Sequence, residues 1–191
     1  MSYKSICAVP GVRAWGMKEG KFGLALIEAH GTAAGVFTEN LVRAAPVELM
    51  KKQIQSGKLE AVIVNSGCAN AYTGTRGYTD AVAMTEYAGS ALGLNPARIG
   101  VGSTGVIGRY LDLPLIQRQC AEVAQKLDCS PEAEDLATKA IMTTDTFAKR
   151  IAYEVTLENG TSFRIGAMAK GAGMINPAMA NCAIIPGDAW V

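Results

Sequence analysis

The sequence predicts a single α/β domain in which layered, mixed β-sheets are covered by helices. Its 191 residues are 49% hydrophobic and only 18% charged, a composition that supplies a well-buried core. Short apolar runs of strand length alternate along the chain with segments of helical periodicity. A chain of this length buries roughly 70% of the surface that its unfolded form exposes, so the core does not need disulfides or metals.

Four strand regions follow from the apolar runs and turn signals. Residues 22–29 and 33–38 are apolar runs separated by His-Gly-Thr, a pattern that predicts a β-hairpin. The β-branched run 60–65 predicts a buried strand that enters a turn, and residues 98–101 predict a short strand before a glycine-rich loop. Asn159-Gly160 lies between two alternating runs, which is the strongest hairpin signal in the chain.

Helices are predicted where apolar residues recur at helical spacing between start and stop signals. Gly93 follows one such segment as a stop, and Thr79 or Asp80 is its predicted N-cap. Ser130 as N-cap and Pro131 at the first helical position open another. The predicted helices cover residues 47–57, 77–92, 113–127 and 131–141.

Charge and hydropathy argue against nucleic-acid and membrane partners. Eighteen basic and seventeen acidic residues leave a net charge of +1, with no basic excess for a phosphate backbone. The chain begins without the apolar core of a secretory signal, and no stretch approaches 18 consecutive apolar residues. We therefore expect a cytoplasmic protein that binds neither nucleic acid nor membrane.

The cysteines and the single histidine favour structural roles over a metal site. The odd, scattered cysteines form no CxxC motif and are expected to be small buried residues in a reducing compartment: Cys7, Cys68, Cys120, Cys129 and Cys182. His30 follows an apolar run and is expected to be a strand-end residue without a catalytic triad. No zinc or other metal site is predicted.

Polar, glycine-rich segments that follow predicted strands are the candidate sites of chemistry. They are residues 65–74, 102–108 and 168–180, with MTTDT at 142–146 as a fourth polar cluster. Glycine allows backbone N–H groups to approach a ligand closely, and a Thr-Gly pair can direct a hydroxyl and an amide at one oxyanion. Tight turns that merely pack a sheet against helices are the alternative explanation for each segment taken alone.

Several of these blocks together resemble one enzyme family. They are AAGVFTEN with AAPV (33–47), VNSGCANAYTG (64–74), STGVIG (103–108), IMTTDT (141–146) and MAKGAGMINPAMA (168–180). In this order they are similar to the N-terminal, or α, half of the ornithine acetyltransferases, also called glutamate N-acetyltransferases. The resemblance runs from about Val9 to Ala180 and implies the α-half of that N-terminal-nucleophile-like fold.

The resemblance also implies an activity and its residues. The family transfers acetyl from N-acetylornithine to glutamate in arginine biosynthesis, by a ping-pong scheme that needs no cofactor in its monofunctional members. By this resemblance Thr104 and Gly105 stabilise the oxyanion, and Lys170 with Thr143 or Thr144 contacts the substrate. The family precursor cleaves itself before a threonine, which becomes the nucleophile of the β chain, and the implied assembly is of α2β2 type.

One departure from the family motif concerns that nucleophile. Where the motif has Ala-Thr at the cleavage position, this chain has Ala180-Asn181, so cleavage there is not expected. Residues 1–180 are predicted to form the α-chain domain and residues 181–191 a short divergent tail in which Cys182 has no assigned role. The alternatives are a truncated or frame-shifted α half, or a stand-alone, catalytically silent binding or assembly module. An isolated α half is expected to self-associate or to bind a partner chain.

Overall fold

Two β-sheets organise the part of the chain that the structure describes. The computed structural model describes residues 5–171 and 182–184. The first sheet has the order β1 (Arg13–Glu19), β2 (Phe22–Thr32), β3 (Lys58–Cys68) and β4 (Ile99–Val106), with β1–β2–β3 antiparallel and β3–β4 parallel. The second sheet is antiparallel and has the order β5 (Lys149–Thr156), β6 (Ser162–Ala169) and β7 (Cys182–Ile184).

The helices lie where the periodicity predicts them. They are α1 (Ala45–Gln53), α2 (Gly74–Leu92), α3 (Leu113–Ala124) and α4 (Pro131–Ile141). Gly93 ends α2 in the left-handed region with φ 70°, and Gly57 ends the 3₁₀ turn after α1 in the same way with φ 68°. The Ser130 hydroxyl caps α4 by accepting from the Ala133 N–H at 3.2 Å. None of the described helices is long and apolar enough to cross a membrane.

The predicted start of α2 is wrong. The helix begins at Gly74 with Thr73 as N-cap, so Thr79 and Asp80 lie within it, and Asp80 is buried. Hydrogen bonds from the preceding loop extend the helix, because the buried Asn70 amide donates to the Gly77 carbonyl at 2.8 Å and accepts from the Thr73 hydroxyl at 2.9 Å. A tertiary contact therefore overrides the local capping signal.

The hairpin predicted from residues 22–29 and 33–38 is also wrong. His30, Gly31 and Thr32 continue strand β2 across a bulge, and residues 33–38 form no strand. The hairpin partner of β2 is β1, which the sequence pattern did not predict because glycine and charged residues interrupt its apolar alternation. The side of β1 that faces α4 carries small residues: a Cβ on Gly16 would lie only 2.6 Å from the Ala140 side chain of α4.

Two hydrophobic clusters cover the two faces of the first sheet. Leu24, Leu26 and Ile63 point toward α2 and α3, whereas Ala25 and Ile27 point toward α4 and the N-terminal segment. Successive β2 side chains thus enter opposite clusters, as the pleat requires. Three of the cysteines are buried and free as expected (Cys7, Cys68 and Cys120), but Cys129 is exposed.

The C-terminus of α4 is fixed to the sheet by a close backbone contact. The Ser66 hydroxyl donates to the Ala140 carbonyl at 2.6 Å, and a Cβ on Gly23 would lie only 2.2 Å from that carbonyl oxygen. Glycine is therefore required at position 23 for α4 to approach β2 and β3 so closely. This contact sets the position of residues 142–146, which follow α4 directly.

Candidate functional site

Three of the segments singled out in the sequence meet at one ammonium group. Lys170 Nζ donates to the Thr104 hydroxyl oxygen at 2.7 Å and to the Thr143 hydroxyl oxygen at 2.8 Å. Thr104 lies near the end of β4, Thr143 follows α4, and Lys170 follows β6. Folding thus brings together the STG, TTDT and MAKG segments, and the interpretation of each as an isolated turn is excluded.

The Thr104-Gly105 pair lies on a strand where a loop was expected. Residues 102–106 continue β4 and pair in parallel with β3, with Gly105 opposite Gly67. Gly105 has φ 135°, and a Cβ there would lie 2.3 Å from the Gly67 carbonyl carbon. Only glycine fits this close approach, and it leaves the Gly105 backbone exposed at the end of the strand.

The segment 65–74 supports the end of β4 from one side. The Ala69 N–H donates to the Val106 carbonyl at 2.9 Å, and the Gly108 N–H donates to the Ala71 carbonyl at 2.9 Å. Asn70 between them is fully buried and has φ 47°. A left-handed asparagine with both side-chain groups hydrogen-bonded is a rigid support, so this segment holds the Thr104 strand end in place.

A buried carboxylate that the sequence reasoning did not single out lies beside these groups. Asp145 accepts hydrogen bonds from Lys149 Nζ at 2.8 Å, from the Gly171 N–H at 2.7 Å and from the Thr143 N–H at 3.2 Å. Its side chain is 1% exposed. Burial alone would raise its pKa, but these three donors prevail and hold the pKa at about 2. The TTDT segment contains this aspartate, but its amide donor Gly171 lies 26 positions away in the sequence.

The electrostatics of the cluster favour an anionic ligand. Burial lowers the pKa of Lys170, nearby Lys149 and Lys18 lower it further, and Asp145 opposes them. Lys18 is held over the same region by donating to the Met142 carbonyl at 2.5 Å. Three ammonium groups face one carboxylate, so the cluster carries a net positive charge that would attract a carboxylate.

The remaining predicted residues are placed differently. Thr144 is exposed, and in the described part of the chain Lys170 bonds to Thr143 and Thr104 rather than to it. Ala180 and Asn181 lie outside the described residues, as does the Cys182 side chain. His30 is an exposed residue near the end of β2 that contacts Glu28 at 3.2 Å. Across residues 5–171 and 182–184, no group of three or more His, Cys, Asp or Glu side chains could hold a metal ion.

Comparison with protein sequences places the chain in one protein family. Residues 10–191 match the model of the ArgJ family. The chain is 53% identical to the glutamate N-acetyltransferase of Methanosarcina mazei, over 91% of this chain and 43% of that protein. It is 47% identical to the arginine biosynthesis bifunctional protein ArgJ of Archaeoglobus fulgidus, over 92% of this chain and 44% of that protein. The chain thus spans less than half the length of these curated relatives.

Solved structures match both the fold and the length. The crystal structure of ornithine acetyltransferase from Mycobacterium tuberculosis, complexed with ornithine, superposes with a TM-score of 0.83 at 36% identity, covering 94% of this chain and 96% of that chain. The structure of ArgJ from Bacillus halodurans gives a TM-score of 0.83 at 35% identity, covering 94% of each chain. The α/β fold of mixed sheets and helices is therefore that of the ArgJ ornithine acetyltransferases.

The low pKa of Asp145 predicts an acid-dependent contribution to stability. Because the folded pKa of about 2 lies below the ordinary value of 3.8, the ionised carboxylate stabilises the fold above that value and loses this effect as the pH falls toward 2. We expect Asp145→Asn to reduce the free energy of unfolding at pH 6. The difference in this free energy between the variant and wild type should be smaller at about pH 3. Urea denaturation followed by circular dichroism measures the free energy of unfolding of both proteins at each pH. An equal difference at the two pH values would contradict the low pKa of Asp145.

Proposed function

Because this chain belongs to the ArgJ family, we propose that it forms the α-half of an enzyme that transfers acetyl from N-acetylornithine to glutamate in arginine biosynthesis. The observation that carries the proposal is the Lys170 ammonium joined to both Thr104 and Thr143, in a fold shared with an ornithine-bound acetyltransferase. Substrate, activity and partner belong to the whole protein, of which the curated relatives have more than twice this length.

In the proposed mechanism, Thr104 and Gly105 stabilise the charge that develops on the acetyl oxygen. Lys170 donates to the Thr104 hydroxyl oxygen, so the hydroxyl hydrogen is free to point at an oxyanion and is polarised by the adjacent positive charge. The N–H of Gly105, an exposed residue, would be the second donor. Two donors set in place before the reaction lower the barrier without any reorganisation cost.

The Lys170 and Thr143 side chains would hold the substrate. Both the donor and the acceptor of the proposed reaction carry a carboxylate, which the surplus of ammonium groups around Lys170 attracts. Thr144, exposed beside Thr143, is available to contact the part of the substrate nearer to solvent. These residues bind and orient, and none of them needs to act as the nucleophile.

The nucleophile would come from a second chain. In the family the attacking group is an N-terminal threonine, whose own α-amine, with a pKa of about 8, can serve as its base. Acetyl passes from N-acetylornithine to that hydroxyl, ornithine leaves, and the glutamate amine then takes the acetyl group. No cofactor takes part in this scheme. Asn181 stands at the corresponding position here and cannot attack in this way.

Chain lengths and an exposed apolar surface support a second chain. The two matched solved chains are about as long as this one, whereas the curated relatives are more than twice as long. Strands β5 and β6 expose one face on which Tyr153 lies opposite Ile165, 58% and 42% accessible, next to Ile151 at 46%. We propose that the remaining half of the family architecture covers this apolar face, in an assembly of α2β2 type.

The proposed location is the cytoplasm. Cys7, Cys68 and Cys120 are buried free thiols, which fits a reducing compartment. The enzymes named among the relatives belong to amino-acid biosynthesis.

An activity assay tests the proposed function. The purified chain, alone and mixed with a separately produced second chain that begins with threonine, is incubated with N-acetylornithine and glutamate, and ornithine release is measured. We expect turnover only in the mixture, because the chain alone lacks the nucleophile. Absence of turnover from a mixture that forms a stable complex would instead favour a catalytically silent binding module.

Replacing Thr104 by Ala should slow acetyl transfer much more than it weakens substrate binding. Loss of one oxyanion donor costs about 10²–10³ in kcat. Steady-state kinetics of the two-chain enzyme give kcat and KM, with Thr79→Ala, which changes an exposed threonine within α2, as the matched control variant. An increased KM with unchanged kcat would show that Thr104 binds the ground state and would remove it from the oxyanion site.

The apolar face of β5 and β6 gives a separate prediction about assembly. Tyr153→Glu with Ile165→Glu should weaken binding of the second chain by about 10-fold or more, because both changes place charge in a buried apolar contact. Thr161→Glu adds one such charge in the exposed turn between these strands and should leave binding unchanged. Isothermal titration calorimetry measures the difference, and equal affinities for all three proteins would place the interface elsewhere.

A further inference from the structure

We propose that Asp145 is a positioning residue of this site, whose buried carboxylate holds the backbone on both sides of the contact between Lys170 and Thr143. Its effect on the geometry and charge of Lys170 is a property of this chain alone. Its effect on turnover rests on the proposed function.

The hydrogen bonds of Asp145 reach the two partners of that contact directly. One carboxylate oxygen accepts from the N–H of Gly171, the residue that follows Lys170, and the other accepts from the N–H of Thr143. Both ends of the 2.8 Å bond between Lys170 Nζ and the Thr143 hydroxyl are therefore anchored to one side chain. Without the Asp145 carboxylate, the backbone N–H groups of Thr143 and Gly171 would lose the acceptor that they share.

A second pair in the chain shows that an aspartate–lysine contact alone does not explain this arrangement. Asp135 and Lys139 have the same i, i+4 spacing and lie 2.6 Å apart, and Asp135 also contacts Arg150 at 2.7 Å. The Asp135 side chain is 26% exposed and its partners are side chains, whereas Asp145 is 1% exposed and accepts from two backbone amides. Asp145 thus fixes backbone that carries site residues.

Charge gives the carboxylate a further effect on Lys170. The charged groups that act on the Lys170 ammonium are Asp145, Lys149 and Lys18, and its hydroxyl partners are Thr104 and Thr143. Asp145 is the negative member of this set. If Asp145 is neutralised, Lys170 has only positively charged neighbours in this set. Their repulsion favours its neutral form and so lowers the pKa of Lys170.

The test measures the titration of Lys170 by NMR on the full chain labelled with ¹³C at lysine Cε. The resonance of Lys170 is the one that disappears in Lys170→Arg. Only the pH is varied, and no ligand is added. We expect Asp145→Asn to move the Lys170 titration to lower pH than in wild type, and Asp135→Asn to leave it unchanged. A Lys170 titration that is the same in wild type and in folded Asp145→Asn would overturn the proposal.

A variant with the opposite expected sign covers the case in which Asp145→Asn does not fold. Lys149→Met keeps the carboxylate and its two backbone donors but removes a positive charge that lowers the pKa of Lys170. The Lys170 titration should therefore move to higher pH. A shift to lower pH, or none, would show that the charges around Asp145 do not govern Lys170.

Kinetics of the two-chain enzyme supply a second test of the role of Asp145. Asp145→Asn should reduce kcat by up to about 10²-fold, the cost of a small misplacement of site groups, and should move the alkaline limb of the pH profile to lower pH. Asp135→Asn should do neither. If no acetyl transfer occurs in wild type, the proposed function fails while the NMR result still decides the role of Asp145.

Discussion

The site depends on one ammonium group that joins two hydroxyls from distant parts of the chain. Lys170 lies 66 positions from Thr104 and 27 from Thr143, and it donates to both at short distance. The group is partly buried, so the surrounding structure must compensate for desolvation of its charge. The two threonine oxygens and the nearby Asp145 carboxylate provide that compensation. The β4 strand end, the segment after α4 and the segment after β6 must all be in place for the bridge to form.

Glycines set how closely these elements approach. Gly23 lets the end of α4 reach the first sheet, and Gly105 lets β4 lie directly against β3. In both places a Cβ would lie within 2.3 Å of a backbone atom. A change of side-chain rotamer could not remove such a clash, because the neighbouring atom belongs to the backbone. Backbone packing at these two glycines therefore positions the elements that carry Thr143 and Thr104.

The sequence predicted the four helices, the hairpin at Asn159-Gly160 and the segments that converge on the site, because these depend on local periodicity, turn chemistry or the family motifs. It did not predict β1, whose small inward residues pack on α4, and it assigned the strand partner of β2 to residues 33–38. Asp145 was missed for a related reason. A carboxylate acquires its role from donors that only tertiary structure brings to it, such as the Gly171 amide.

Because of the order of elements along the chain, the residues of the site are translated in two stages. All four strands of the first sheet and all four helices are encoded before residue 142, so Thr104 can reach its strand position while the remainder is still within or near the ribosome. Lys170 is translated about 30 residues later, a delay of roughly 2–6 s at usual elongation rates. A nascent chain therefore carries the hydroxyl of Thr104 without its ammonium partner for seconds. The contact between Lys170 and Thr104 forms only when the hairpin of β5 and β6 has been made.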